Sequence, residues 1–218
     1  MDKNGEFSTT TDTFLNVNAV DFSDYTLAVS AVGTQGQTTA TSTKTVSVAT
    51  IPIAINEIAW MGTEGSFSDE WMELKNNTNH TINLSNWHLS SDDGTPEIAL
   101  SGSIKPYGFV LLERTDDTTI TDITADIIYT GSLKNSGEII RLAYASSTLD
   151  QTPAGSWAAG SNTESYDRKT MERIDPRGAG DNPVNWATWG STVEFIGNGY
   201  GQDEYEEDVF ILGTPKAR

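Results

Sequence analysis

The sequence predicts an all-β fold: a β-sandwich over residues 51–218, preceded by a partial β segment over 1–50. Three observations carry this reading. Around Trp71 to Lys75 the side chains alternate, with Met72 and Leu74 on one face and Trp71, Glu73 and Lys75 on the other, as in a strand with one buried side. Asn76, Asn77, Thr78 and Asn79 then supply turn chemistry, and Ile82, Leu84, Trp87 and Leu89 resume apolar spacing beyond it. Finally, strand candidates recur at 53–60, 69–76, 80–84, 86–90, 96–101, 108–114, 126–130, 137–145, 168–174 and 185–189, while helical periodicity is hardly visible.

Residues 1–50 are rich in Thr, Ser, Val and Gly and poor in charge, which is β composition. Residues 24–31, a turn at Gly33 to Gly36, and 38–48 read as two consecutive strands. Without further strands such a segment leaves an unpaired edge, a template for self-association, so disorder or edge pairing is expected. Thr50, Ile51 and Pro52 read as a linker, because the residue before a proline is pushed to extended geometry. In the larger unit, Asp92-Asp93-Gly94, Asn135-Ser136-Gly137 and Lys105-Pro106-Tyr107-Gly108 mark turns. Gly197-x-Gly199-x-Gly201 follows no βαβ unit and reads as a flexible loop, not a phosphate cradle.

Composition narrows the chemistry. A chain of 218 residues can bury a substantial core. It has no cysteine, which excludes disulfides, thiol catalysis and sulfur-rich zinc sites. A formal net charge of −18 makes nucleic acid a poor partner, since phosphates are bound chiefly by Lys and Arg. No run of apolar residues is long enough to insert in a membrane, and Met1 is followed by polar residues where a secretory signal would place an apolar stretch.

The ordered series INEIAW, SDEWMELKN, LSNWHLSSDDG, KPYGFVLLER, LKNSGEIIRLAY, MERIDP, NWATW and GTPKAR resembles the lamin-tail domain family, especially its prokaryotic branch, over about residues 51–218. The resemblance implies an immunoglobulin-like β-sandwich with Trp87 buried, and an insertion between Trp189 and Gly213. Residues 24–48 resemble the last two strands of a fibronectin type III or related immunoglobulin-like domain. Prokaryotic members resemble add-on modules of exported or surface proteins, which implies an extracellular or cell-surface, non-catalytic part in adhesion or spacing, with a protein or glycan as ligand. The heptads of a lamin rod are not present, so filament assembly is not implied.

Catalytic constellations find little support. His80 and His88 lie outside any His-Glu-x-x-His pattern, and a Gly-x-Ser-x-Gly elbow is not present. Asp69 with Glu70 and Glu73, or Asp203 with Glu204, are pairs that 31 acidic residues produce by chance, and a solvated face is the expectation for them. No catalytic residue or organic cofactor is therefore assigned. Calcium, held by oxygens alone, has candidate ligands in Asp92 and Asp93, in Asp116, Asp117 and Asp122, and in Asp203, Glu204, Glu206, Glu207 and Asp208, none at EF-hand spacing. Six tryptophans should mostly be core. Trp71, sharing its strand face with Glu73 and Lys75, is either covered by a loop or exposed; if exposed, it forms a binding platform with Trp157 and Tyr166.

Overall fold

A computed structural model of the chain describes residues 23–48, 51–191, 198–202 and 207–217. The chain divides into two units, Met1–Thr50 and Ile51–Arg218. In the first, β1 (Ser23–Val29) and β2 (Ser42–Val48) pair antiparallel from Ser23 opposite Val48 to Val29 opposite Ser42. The turn between them closes through Gly33 and Gly36. Val29 and Val32 are exposed, as expected of a ribbon too small to bury an apolar face within itself.

The second unit is a β-sandwich. Its strands are β3 (Ile53–Ala59), β4 (Trp71–Asn76), β5 (Ile82–Asn83), β6 (Trp87–Ser91), β7 (Glu97–Ala99), β8 (Ser103–Ile104), β9 (Phe109–Arg114) and β10 (Ile127–Tyr129). They continue with β11 (Ile140–Tyr144), β12 (Ser147–Gln151), β13 (Ser161–Asn162), β14 (Arg168–Lys169), β15 (Met171–Arg173), β16 (Trp186–Thr188), β17 (Tyr200–Gln202) and β18 (Asp208–Phe210). One sheet has six strands in the order β10-β9-β4-β3-β15-β16, and the other has four in the order β12-β11-β6-β7. All neighbours in these sheets run antiparallel except β9 and β10. Three two-stranded pieces, β5-β8, β13-β14 and β17-β18, complete it.

The core lies between the two large sheets. Ile53, Ile55, Ile58, Met72, Leu74, Val110 and Leu112 of the first join Trp87, Leu89, Ile98, Ile140 and Leu142 of the second in one apolar cluster. Trp87 is buried and packs on Tyr144, ring centroids 5.5 Å apart. Strand β6 shows the expected alternation: Trp87, Leu89 and Ser91 are buried, His88 and Ser90 only partly.

The inner strands of the six-stranded sheet depart from that expectation. Strand β3 is buried at every position, and β4 at all but Lys75. Two features explain this. The pairing of β3 with β4 slips between Ile55 and Glu57, a bulge at Asn56 that lets Ile55 and Ile58 both enter the core although they are three residues apart. The outer face of the sheet is in turn covered by residues 211–217, against which residues 198–202 pack: Leu212 accepts from the Thr170 amide, Gly199 from Ile211, and Tyr200 from Thr121. Gly199 and Gly201 are buried in this cover, and Gly201 lies in β17, so the expected flexible loop is instead packed structure at these positions; Gly197 lies outside the described residues.

Next to the bulge, an ion pair takes both the amide and the carbonyl of Ile55 on β3. Asp150 of β12 accepts from the Ile55 amide at 2.8 Å. Arg173 of β15 donates to the Ile55 carbonyl at 3.2 Å and binds Asp150 with both terminal nitrogens, at 3.2 and 3.0 Å. The guanidinium also donates to the Gly178 carbonyl and lies over Trp186, 4.9 Å from the ring centroid. Both side chains are fully buried, so the pair ties the two sheets together at the bulge.

Candidate functional site

The largest concentration of chemical groups lies on the outer face of the six-stranded sheet. Glu172 of β15 faces Glu57 of β3, and Glu57 faces Glu73 of β4. One strand further, Glu113 of β9 is the register partner of Trp71. All four glutamates are buried. The solvated face expected for Glu70 and Glu73 is thus corrected: Glu73 is sealed beneath the chain, and Glu70 is buried beside it in sequence. Alternation put Glu73 on the face opposite Leu74 correctly, but a single strand carries no sign of what covers that face.

Each carboxylate holds a loop. The Thr214 amide donates to Glu57 Oε1 and the Thr214 hydroxyl to Glu57 Oε2, both at 2.9 Å, while the hydroxyl also lies 3.2 Å from Glu172 Oε1. Glu73 accepts from the Lys216 amide at 2.5 Å and from Asn56 Nδ2 at 2.8 Å. The Thr214 hydroxyl thus lies between the Glu57 and Glu172 carboxyl groups. Glu113 accepts from the Thr119 amide, and Glu70 from the Leu133 amide, with Arg114 at 3.3 Å from its other oxygen.

Burial sets the protonation of these groups. It raises Glu57 above the ordinary carboxyl range, and raises Glu73 well above it with the Glu57 charge as second cause. Burial lifts Glu113 to about 8, helped by Asp117, and Glu70 to about 7, opposed by the Leu133 amide and Arg114. Burial thus disfavours the charged form of Glu57, Glu70, Glu73 and Glu113, whose oxygens anchor backbone amides.

Trp71 corrects the platform reading. It is 0 % exposed, beneath the segment that carries Gly213, so it is no part of a binding surface. A β-carbon at Gly213 would lie 2.6 Å from Glu57 Oε1, 2.8 Å from Thr170 Cγ2 and 2.9 Å from Trp71 Cζ2. Gly213→Ala should accordingly cost about 1–3 kcal/mol through overpacking, read as a lowered midpoint in thermal unfolding followed by tryptophan fluorescence; an unchanged midpoint would show that the covering segment is not packed on the indole.

The other two platform residues lie elsewhere. Trp157 is half-buried and stacks on Trp60, centroids 6.0 Å apart and planes 10° from parallel, with its indole nitrogen donating to the Lys134 carbonyl. Tyr166, in a short helical turn over Ser165–Asp167, is 66 % exposed. Phe67, 73 % exposed, sits on the loop that Arg168 ties down through the Thr63 carbonyl. Sequence reasoning missed Phe67 because an isolated aromatic in a polar loop carries no periodic signal.

The calcium candidates are engaged in turns. Asp92 accepts from the Ile139 amide; Asp93 accepts from Thr95 and pairs with Lys134 at 2.6 Å. Asp116 bonds the Thr118 hydroxyl, Asp117 the Ala125 amide and Asp122 the Tyr200 amide. Glu207 and Asp208 are exposed, while Asp203, Glu204 and Glu206 lie outside the described residues. Among the described residues no three Asp, Glu or His side chains converge so as to hold a metal ion. Among them too, no helix is long and apolar enough to cross a membrane.

Comparison of the chain with protein-family models, with curated proteins and with solved structures finds no match. The class established by the fold is an all-β sandwich with a sealed acidic row.

Proposed function

We propose that this chain is a non-catalytic interaction module of a prokaryotic exported or surface protein, built on a lamin-tail-like, immunoglobulin-like sandwich and acting in adhesion or spacing. The observation that carries the reading is the use made of its acids: Glu57, Glu70, Glu73, Glu113 and Glu138 are each spent on amides or hydroxyls of neighbouring loops. A scaffold that commits its titratable groups to fixing loops presents those loops rigidly, which suits recognition better than turnover. The ordered motifs of the lamin-tail resemblance, with Trp87 in the core, support the same class, and the two-stranded piece at 23–48 suits a neighbouring immunoglobulin-like module.

A second reading, an accessory carbohydrate-binding domain of a larger hydrolase, is favoured by the stacked Trp60–Trp157 pair and the exposed Tyr166 and Phe67. Binding of the chain to glycan arrays and to immobilised cell-surface protein fractions separates the two. On the first reading protein is retained and glycans are not. On the second, Tyr166→Ala and Phe67→Ala abolish glycan retention while shifting stability by no more than about 0.5 kcal/mol, as exposed positions do. Hydrolysis of any retained glycan by the chain alone would overturn both. Protease shaving of intact source cells tests location: peptides from 115–125 should appear in the supernatant.

A further inference from the structure

The segment over the glutamate row is anchored to that row by Thr214 and Lys216, and beside it by the buried Ile211 and by Asn198, which donates to the Pro215 carbonyl. Thr214 reaches Glu57 and Glu172, the Lys216 amide reaches Glu73, and Leu212 accepts from Thr170. The Lys216 ammonium is turned away from the row, donating to the Thr124 carbonyl and pairing with Asp126 at 2.9 Å. Three adjacent strands thus bring three carboxylates into one enclosed space with no cation of the covering segment directed at them.

We propose that residues 211–217 form a pH-gated strap: closed over Glu57, Glu73 and Glu172 while that row shares protons, and lifted from the sheet when the row is fully ionised. The groups facing the row fix the direction of the response. Lys75 on β4 favours the charged form of Glu73, as do the strap's own amides and Asn56. Thr170 and Thr214 do the same for Glu57. On β9, Glu113, raised by burial and by Asp117 and Asp116, adds negative charge beyond Trp71 only as it ionises at about 8. The amide donors can support one or two charges in the row. The third places like charges side by side in a buried space, and releasing the strap admits water to relieve them. Release uncovers Trp71 and an acidic trough along β15, β3 and β4.

Amide hydrogen exchange on the whole chain, expressed as protection factors so that the intrinsic effect of pH is removed, tests this. Between pH 6 and pH 9 the Thr214 and Lys216 amides should lose protection at least about tenfold more than the core amides of Leu89 and Leu142, as local opening requires. In Glu172→Gln, which keeps an oxygen for Thr214, the excess loss should vanish or move to higher pH; Glu57→Gln serves as the second variant if the first does not fold. Equal protection at the two pH values, a loss shared equally with Leu89, or an excess unchanged in the variant would each overturn the strap.

Discussion

Asp150→Ala is expected to lower the stability of the 51–218 unit by about 3–5 kcal/mol, with a fall of roughly 10 °C in its thermal midpoint. The reason lies in what remains. Removing the carboxylate leaves the Arg173 guanidinium buried without its bidentate partner, and leaves the Ile55 amide at the bulge without its acceptor. Burial raises Asp150 above the ordinary carboxyl range even though Arg173 pulls it down, so desolvation outweighs the attraction and the pair's value is in position, not in net electrostatics.

That distinction is measurable. A double exchange, Asp150→Leu with Arg173→Met, removes both charges together and should recover a large part of the loss, whereas Arg173→Met alone and Asp150→Leu alone should each cost as much as Asp150→Ala. Urea denaturation of the four proteins closes a double-mutant cycle. Additive losses would mean that the two side chains do not act as a unit and that the sheets are tied by the core alone. Gly180 belongs to the same unit: a β-carbon there would collide with both Arg173 Nη1 and Asp150 Oδ1.

How far this was legible in the sequence follows from the range of each cause. Alternation and turn chemistry are local, and the strands they predict at 53–60, 69–76, 86–90, 108–114 and 137–145 match β3, β4, β6, β9 and β11. Strand β12 escaped because Ser147–Gln151 offers only Leu149 as an apolar signal, and its return is driven by a turn at Ala145, whose φ of 50° no residue type there announces. The Asn56 bulge escaped because Ile55 and Ile58, three residues apart, break the strand period of two; only their pairing with β4 resolves them. The acidic row was invisible for a different reason. Glu57, Glu73 and Glu172 are far apart in sequence, and an acidic residue in an acidic chain reads as solvated until the strand order and the covering segment are known. Asp150 and Arg173 were hidden in the same way, one in the missed strand and one in a predicted strand whose partners were unknown.

Stability should fall as pH rises from about 5 to 8, and Glu113→Gln should flatten that fall. In the folded chain Glu113 keeps its proton up to about 8, while the unfolded chain loses it near the ordinary glutamate value of 4.5. Its contribution is therefore complete below the unfolded value and is lost as pH climbs through the folded one, on the order of 1 kcal/mol per pH unit. Glu70 acts in the same direction over the narrower window that ends at about 7. On the acid side the sign reverses for Asp93, which Lys134 holds at about 2, and for Asp167, which Lys169 holds lower still; ionised partners of this kind lose their stabilising part only as pH falls toward those values. The net charge of −18 also predicts weakening at alkaline pH through mutual repulsion, but repulsion between exposed charges is screened by salt and the burial of Glu113 is not. Urea titrations at pH 5, 6.5 and 8, in low and in high salt, separate the causes. The fall should persist in high salt and shrink in Glu113→Gln, whose side-chain oxygen still accepts from the Thr119 amide; a fall that salt removes and the substitution leaves intact would assign the pH dependence to the surface and clear the buried acid of any part in it.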